Sequence, residues 1–314
     1  GIFVALAASR FVPHPPNFTS LIALSFYVPA ILGLRHLPSV IISFAITDLI
    51  IGYHFGTHWT WGSVLLIGLI APYIVGDNVY KLNYKNRLKP PSYEHFFGTD
   101  VTGRDVFKRV ILGTRITLKI AFSVILIALS IGILVGTFSG YYSGLIDNFL
   151  MWITNIFLSF PSIILALAIN SALGPGLNSA ILAVGLTMWP SYARILRTSI
   201  LTLKNEEYIL TARSLGASNF HIIIKHILPN SFSPIIIQSS LDIGYAILAV
   251  AGLSFLGIGA QPPISEWGFM VAEGQKSILS SWWWSTFPGI AICFAVISFN
   301  LFGEFLRDNL QKNI

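Results

Sequence analysis

Charged side chains are scarce. Asp, Glu, Lys and Arg make up 10% of the 314 residues, against about 25% in an ordinary soluble domain. That deficit excludes a soluble enzyme, a disordered chain and a nucleic-acid binder with a solvated basic face. Cysteine is nearly absent as well. Its one occurrence, Cys293, sits in an apolar run, so no disulfide forms within the chain. No Gly-x-x-x-x-Gly-Lys-Ser/Thr phosphate loop is present, which excludes ATP hydrolysis by that route. No Ser/His/Asp, Cys/His or paired-carboxylate set is readable. His54 and His58 have the spacing of a metal pair but lack a third ligand. The expectation is therefore no catalytic residue, no metal and no cofactor. What remains is apolar: 54% hydrophobic residues and a mean hydropathy of +0.73 indicate an integral membrane protein. The net charge of +6 is scattered and reads as topology and headgroup charge. The chain starts at Gly1 rather than Met, which reads as a missing or processed N-terminus. Residues 1–8 are too short for a signal peptide or a span.

A membrane-crossing helix needs about 20 mainly apolar residues. Between Ile120 and Tyr192 the only charge is Asp147, so three helices fit, near 116–139, 148–172 and 178–195. Their breaks fall at Ser139–Gly144 and at Leu173–Leu177. Asp242 is the only charge from Ile227 to Ser265, which places a helix near 233–257. A last helix is expected near 287–305, preceded by Trp282, Trp283 and Trp284 as an interfacial aromatic belt. The run at 61–76 has the character of a span. Those at 20–34 and 38–55 are short and broken by Pro29, Gly33, Pro38 and Gly52. No strand alternation is sustained, which argues against a barrel.

Two segments are polar. Residues 77–119 form an extramembrane connection with a short helix near 103–112, for which Thr102 is the expected N-cap and Asp105 the third helical residue. Residues 197–229 carry charges and two short helical patterns around Gly216, the residue type that closes a helix in the left-handed conformation. Ser218 suits the cap of the second pattern, and Pro229 the first turn of the next span. The expected product is a rigid helix–turn–helix handle on the membrane face. His221 and His226 lie in this loop and are expected to be solvated. Asp147, near a membrane boundary, reads as an interfacial or capping residue rather than a proton relay. Asp242 lies deeper and suits either a translocation path or an interhelical hydrogen bond.

Residues 206–229 resemble the coupling loop of ATP-binding-cassette (ABC) importer permeases, with Ala212, Gly216 and Leu228-Pro229 at the usual spacing. Other matches follow in order: Gly98-Thr99-Asp100-x-x-Gly103-Arg104-Asp105, Gly140-Tyr141-Tyr142-Ser143-Gly144, Phe160-Pro161-Ser162, Leu173-Gly174-Pro175-Gly176-Leu177, Trp189-Pro190-Ser191-Tyr192-Ala193-Arg194, Leu253-Ser254-Phe255-Leu256-Gly257, Gln261-Pro262-Pro263 and Trp267-Gly268. Together they resemble the second permease of dipeptide, oligopeptide and nickel importers over about 64–310. One departure stands out: Leu210 occupies the position where the family usually carries Glu, and Glu206 and Glu207 lie one turn earlier. Residues 1–63 instead resemble the start of a small uncharacterised bacterial membrane-protein family, which suggests a fusion.

The resemblance implies an all-α, polytopic transmembrane helical bundle of the ABC importer permease (MetI-like) type. Six core helices are expected, plus one or two short N-terminal apolar segments. It divides the chain into 1–63, a first core span with its extracytoplasmic connection at 64–115, and a permease domain at 116–310 with a coupling loop at 203–228. The implied function is half of a translocation pore in the bacterial inner membrane, for dipeptides or oligopeptides, with nickel next. The implied partners are a second permease, two cytoplasmic ATPases, an extracytoplasmic solute-binding protein and membrane lipid, but no nucleic acid. Glu206, Glu207, Ala212, Arg213, Gly216 and Pro229 are the expected ATPase-coupling residues, and Asp242 a candidate for the path. The alternatives are an ATP-independent secondary transporter or channel, or a non-functional fusion. A charge count opposes the implied orientation. Segment 81–119, expected outside, holds nine Lys and Arg residues, whereas 194–225, expected inside, holds five.

Overall fold

The computed structural model describes residues 60–311. The apolar runs at 20–34 and 38–55 and the His54/His58 pair lie outside the described residues. The fold is helical: α1 (Thr60–Val75), α2 (Val106–Tyr142), α3 (Gly144–Ser159), α4 (Ser162–Leu173), α5 (Leu177–Leu203), α6 (Glu207–Ser214), α7 (Asn219–Ile222), α8 (Leu228–Phe255), α9 (Trp267–Gln275) and α10 (Trp283–Gln311). A π-helical turn, Ile223–Ile227, joins α7 to α8. The spans Val106–Tyr142, Asn219–Phe255 and Trp283–Asp308 are long and apolar enough to cross a membrane. Helices α3 and α4 qualify only as a pair, bent by 94°. With α1 and α5 these give the six core elements of the expected bundle.

Four helix expectations need correction. The separate helices near 103–112 and 116–139 are one helix, α2, which runs unbroken for 37 residues. Its N-cap is Asp105, whose carboxylate accepts from the Lys108 N–H at 3.0 Å. Thr102 instead donates its hydroxyl to Asp100 at 2.7 Å. The helix expected at 148–172 breaks at Phe160, which is extended (φ −96°, ψ 142°). The cause is Pro161, which disfavours helical geometry in the residue before it and lacks an N–H donor. The Trp282–Trp284 belt also fails. Trp282 is half exposed, but Trp283 and Trp284 are buried at 6% and 3%. Helix α10 begins at Trp283, earlier than 287, and the Trp283 indole donates to the Thr99 carbonyl at 3.2 Å. Finally, α5 continues eight residues past 195, to Leu203.

The bundle is built on the contact between α2 and α5. Gly132, Gly136 and Gly140, one turn apart, line the α2 face that meets α5. A Cβ on Gly132 would lie 2.5 Å from Tyr192 Cβ, one on Gly136 2.7 Å from the Ala193 carbonyl oxygen, and one on Gly140 2.9 Å from Ile200 Cβ. Small residues at four-residue spacing let helix backbones approach closely where lipid gives no hydrophobic drive for association. The Gly132–Gly140 spacing was readable in the sequence, although only Gly140 drew notice there, as part of a turn.

A second structure closes one end of the bundle. Asp100 is fully buried and accepts from Arg104 Nε at 2.6 Å and Arg109 Nη1 at 2.8 Å. Arg109, also fully buried, reaches Glu273 on α9 at 2.7 Å. The network ties the loop before α2 to the loop helix between α8 and α10. Burial pushes the Asp100 carboxyl up, but the guanidinium groups of Arg109 and Arg104 and the Thr102 hydroxyl outweigh it and hold it below its ordinary 3.8.

Two outcomes follow. Gly136→Val inserts atoms against the Ala193 backbone, which cannot rotate away, and should destabilise by about 1–3 kcal/mol. Thermal unfolding of the detergent-purified chain reads this as a lower Tm. Arg109→Met removes one of the two guanidinium groups that Asp100 and Glu273 share, leaving them Arg104 alone, and should destabilise by about 3 kcal/mol. Because the folded Asp100 pKa is depressed, its stabilisation is fully present above the ordinary carboxylate value. It is lost only as pH falls through the lower folded value. Wild type should therefore keep its Tm down to about pH 5, and the gap to Arg109→Met should close in stronger acid.

Candidate functional site

Residues 204–229 fold into the expected handle. Its first helix, α6, starts after Glu206, whose carbonyl accepts from Ile209 and Leu210 at 3.0 and 3.1 Å. Glu206 and Glu207 are exposed at this N-terminus, where the helix dipole favours negative charge. Ile209 is fully buried and pins the helix to the bundle. At the other end the Ala212 carbonyl accepts from Ala217 at 3.1 Å and the Arg213 carbonyl from Gly216 at 3.0 Å. Gly216 has φ +85°, the left-handed closure expected of it. The Ser218 hydroxyl caps α7 by accepting from the His221 N–H at 3.3 Å. Pro229 stands exposed in the first turn of α8. His221 is exposed and His226 half-buried, with ring centroids 5.7 Å apart.

The handle is clamped to the turn between α2 and α3. Tyr141, at the end of α2, donates its hydroxyl to Asn219 Oδ1 on α7 at 2.8 Å. Its ring lies 6.0 Å beneath the Arg213 guanidinium, a cation–π distance. Lys204 donates to the Gly140 carbonyl at 3.2 Å and to the Ser143 hydroxyl at 2.5 Å. Ser143 has φ +56°, strained for a residue with a side chain, and the ammonium holds it there. Asp147, in the first turn of α3, accepts two bonds from Arg197 of α5, both at 2.6 Å, and one from Ser139. Asp147, expected as an interfacial or capping residue, stands in the first turn of α3 with a partner that spacing alone did not reveal. The sequence reading gave no role to Tyr141, Lys204 or Asn219. Tyr141 stood in the Gly140–Gly144 motif, which was read as a turn and as a family match but not as a contact to the handle.

The outer face of the handle is apolar. Leu215 and Phe220 are 82% and 75% exposed, and Tyr208 and Leu210 about half as much. This patch lies beside the exposed charges Glu206, Glu207 and Arg213. Leu210 stands on it where a charge was expected.

Asp242 is far from the handle, midway along the 28-residue α8. Its carboxylate is partly exposed and accepts from Gln238 Nε2 at 2.9 Å. Tyr192 of α5, fully buried, faces it. The structure therefore separates the proposed coupling residues from the proposed path residue by several helical turns. Among the described residues no group of three or more His, Cys, Asp or Glu side chains converges on a metal position.

Residues 132–314 match the family described as binding-protein-dependent transport system inner membrane component. The chain belongs to this family. It is 43% identical to a dipeptide transport system permease protein of Alkalihalophilus pseudofirmus, over 80% of this chain and 83% of that one. It is 43% identical to a probable D,D-dipeptide transport system permease protein of Escherichia coli, over 79% and 83%. It is 40% identical to a glutathione transport system permease protein of Pectobacterium atrosepticum, over 80% and 84%. In fold it is similar to the MetNI methionine ABC transporter in inward-facing conformations, with a TM-score of 0.51 at 19% identity, covering 64% of this chain and 96% of that one. Family membership identifies an inner-membrane transport permease, and the fold gives it several spans. Its class is binding-protein-dependent, which leaves an ATP-independent carrier or channel without support.

One interaction at the site is open to direct measurement. A double-mutant cycle with Asp147→Asn and Arg197→Gln should give a coupling of about 1–3 kcal/mol in thermal unfolding. Arg197→Gln alone should lower Tm, because it leaves Asp147 without its bidentate partner.

Proposed function

We propose that the chain forms half of the translocation pore of an ATP-driven peptide importer. The observation that carries this reading is its 43% identity, over 80% of its length, to a dipeptide permease. The nearest alternative cargo is nickel. A second permease completes the pore, two ATPases bind the handles of the two permeases from the cytoplasm, and an external binding protein delivers the peptide. The handle geometry supports the coupling role. Glu206, Glu207, Arg213 and the apolar residues around Leu215 are presented outward, and Gly216, Ala212 and Pro229 set the angle between handle and span. Nucleotide shifts the pore only through its different affinity for the two states. ATP-driven closure of the ATPases supplies that difference by pushing on two such handles.

In this orientation the handle is cytoplasmic and the segment 76–105 is external. The adverse count of basic residues is softened by the fold, since Arg104 and Arg109 are neutralised in the buried network with Asp100 and Glu273. We assign the permease itself to about 64–310 and treat 1–63 as an accessory segment.

The test is reconstitution. The purified chain should hydrolyse no ATP, and activity should appear with the partner ATPases. The complete complex should take up a labelled dipeptide. Gly216→Val has room for its side chain, so its cost is conformational, about 1–2 kcal/mol. It should reduce ATPase co-purification and uptake together, while Gly216→Asn, which tolerates the left-handed conformation, should retain most of both. Normal uptake by Gly216→Val, or ATPase activity in the chain alone, would contradict the reading.

A further inference from the structure

We propose that Asp242, with Gln238 and Tyr192, binds the α-ammonium group of the peptide as it passes through the membrane; the inference rests on the importer reading above. Asp242 sits midway along α8, where a charged group in contact with lipid is expensive. Asp147 relieves a similar cost with Arg197, but no Lys or Arg makes an ion pair with Asp242 among the described residues. Its side chain is partly exposed rather than sealed in the core. A carboxylate has about four acceptor positions. The protein visibly fills one, through Gln238 Nε2 at 2.9 Å.

The neighbour on α5 is also unsatisfied. Tyr192 is fully buried and its hydroxyl lies close enough to Asp242 to interact with it, but it meets no partner at hydrogen-bond distance and angle. The seam between α5 and α8 therefore offers a carboxylate, a phenolic oxygen and a carboxamide oxygen with free acceptor capacity. Tyr245, three residues on and on the same side of α8, is 42% exposed and adds an aromatic face. This set suits a small hydrogen-bonding cation. Peptides that differ in side chain share only their backbone and two termini, so a path that passes many of them has the ammonium as its one constant cation. Binding there would supply the counter-charge that the fold withholds.

The experiment uses the whole complex, with second permease, ATPases and loaded binding protein, in proteoliposomes. The probe is radiolabelled alanyl-alanine. Asp242→Asn keeps the shape and the Gln238 contact but removes the charge, and should cut uptake at least about tenfold, the scale of a lost charge-assisted hydrogen bond. Asp242→Glu, which keeps the charge, should retain most of it. Wild-type uptake by Asp242→Asn would overturn the proposal, since a protonated or purely structural aspartate is replaced by Asn without loss. Equal defects in Asn and Glu variants would overturn it too. If Asp242→Asn reaches the membrane but loses the second permease on purification, the carboxylate serves the subunit interface and the proposal falls. If Asp242→Asn does not accumulate, Tyr192→Phe decides: a two- to fivefold fall in uptake supports the site, and unchanged uptake refutes it. Absence of uptake in wild type would instead count against the importer reading itself.

Discussion

The close approach of α2 and α5 governs the rest of the molecule. Three glycines bring the two backbones within side-chain reach, and three of the contacts described above are placed by that distance. It sets Arg197 of α5 against Asp147 just beyond the end of α2. It lets Lys204, one residue past α5, reach the turn that closes α2. It also buries Tyr192 so that its hydroxyl meets α8. Dispersion between closely packed backbones, rather than water-driven burial, is the force available inside lipid. Widening the gap by one methyl group would displace all three contacts together.

The two ends of α2 are treated differently. At one end, buried charges lock the preceding loop to α9, and the protein accepts the desolvation of Asp100, Arg104 and Arg109 in exchange for a defined geometry. At the other end the turn after α2 is held by the Asp147–Arg197 ion pair and by Lys204, but the two short handle helices meet it through one Tyr141–Asn219 hydrogen bond and a cation–π pair. The first end is costly to open, and the attachment of the handle helices is softer. A two-state device needs that asymmetry, with a fixed frame and an element whose position a partner can bias.

Much of this was legible before the fold was known. Charge-free runs located the spans, Gly216 and Ser218 announced the handle, and the order of short motifs gave the family. The errors have common physical causes. Helix α2 extends past the polar residues Lys108, Arg109 and Arg115 because charge does not stop a helix; only caps and prolines do, and Asp105 was the cap. Pro161 was noticed within a motif but not weighed as a breaker, so one span was drawn where two helices meet at 94°. Trp283 and Trp284 were read by residue type alone, whereas their burial depends on a loop 184 residues away in sequence, as the Trp283–Thr99 bond shows. The pairing of Asp100 with Arg109 and Glu273, and of Asp147 with Arg197, is long-range in the same sense. A single sequence carries the charges but not their partners.

The π-helical turn at Ile223–Ile227 has a geometric consequence. Such a turn accommodates one residue more than an α-helix would at the same place. Each residue of an α-helix accounts for about 100° of rotation about the axis. The turn is therefore an angular offset between the handle, which Tyr141 and Asn219 hold in place, and everything on α8 beyond it. Remove one residue there and α8 would present a different meridian to α5, turning Asp242 away from Tyr192 while leaving the handle untouched. The phase between the handle and the Asp242–Tyr192 seam is thus written into five residues.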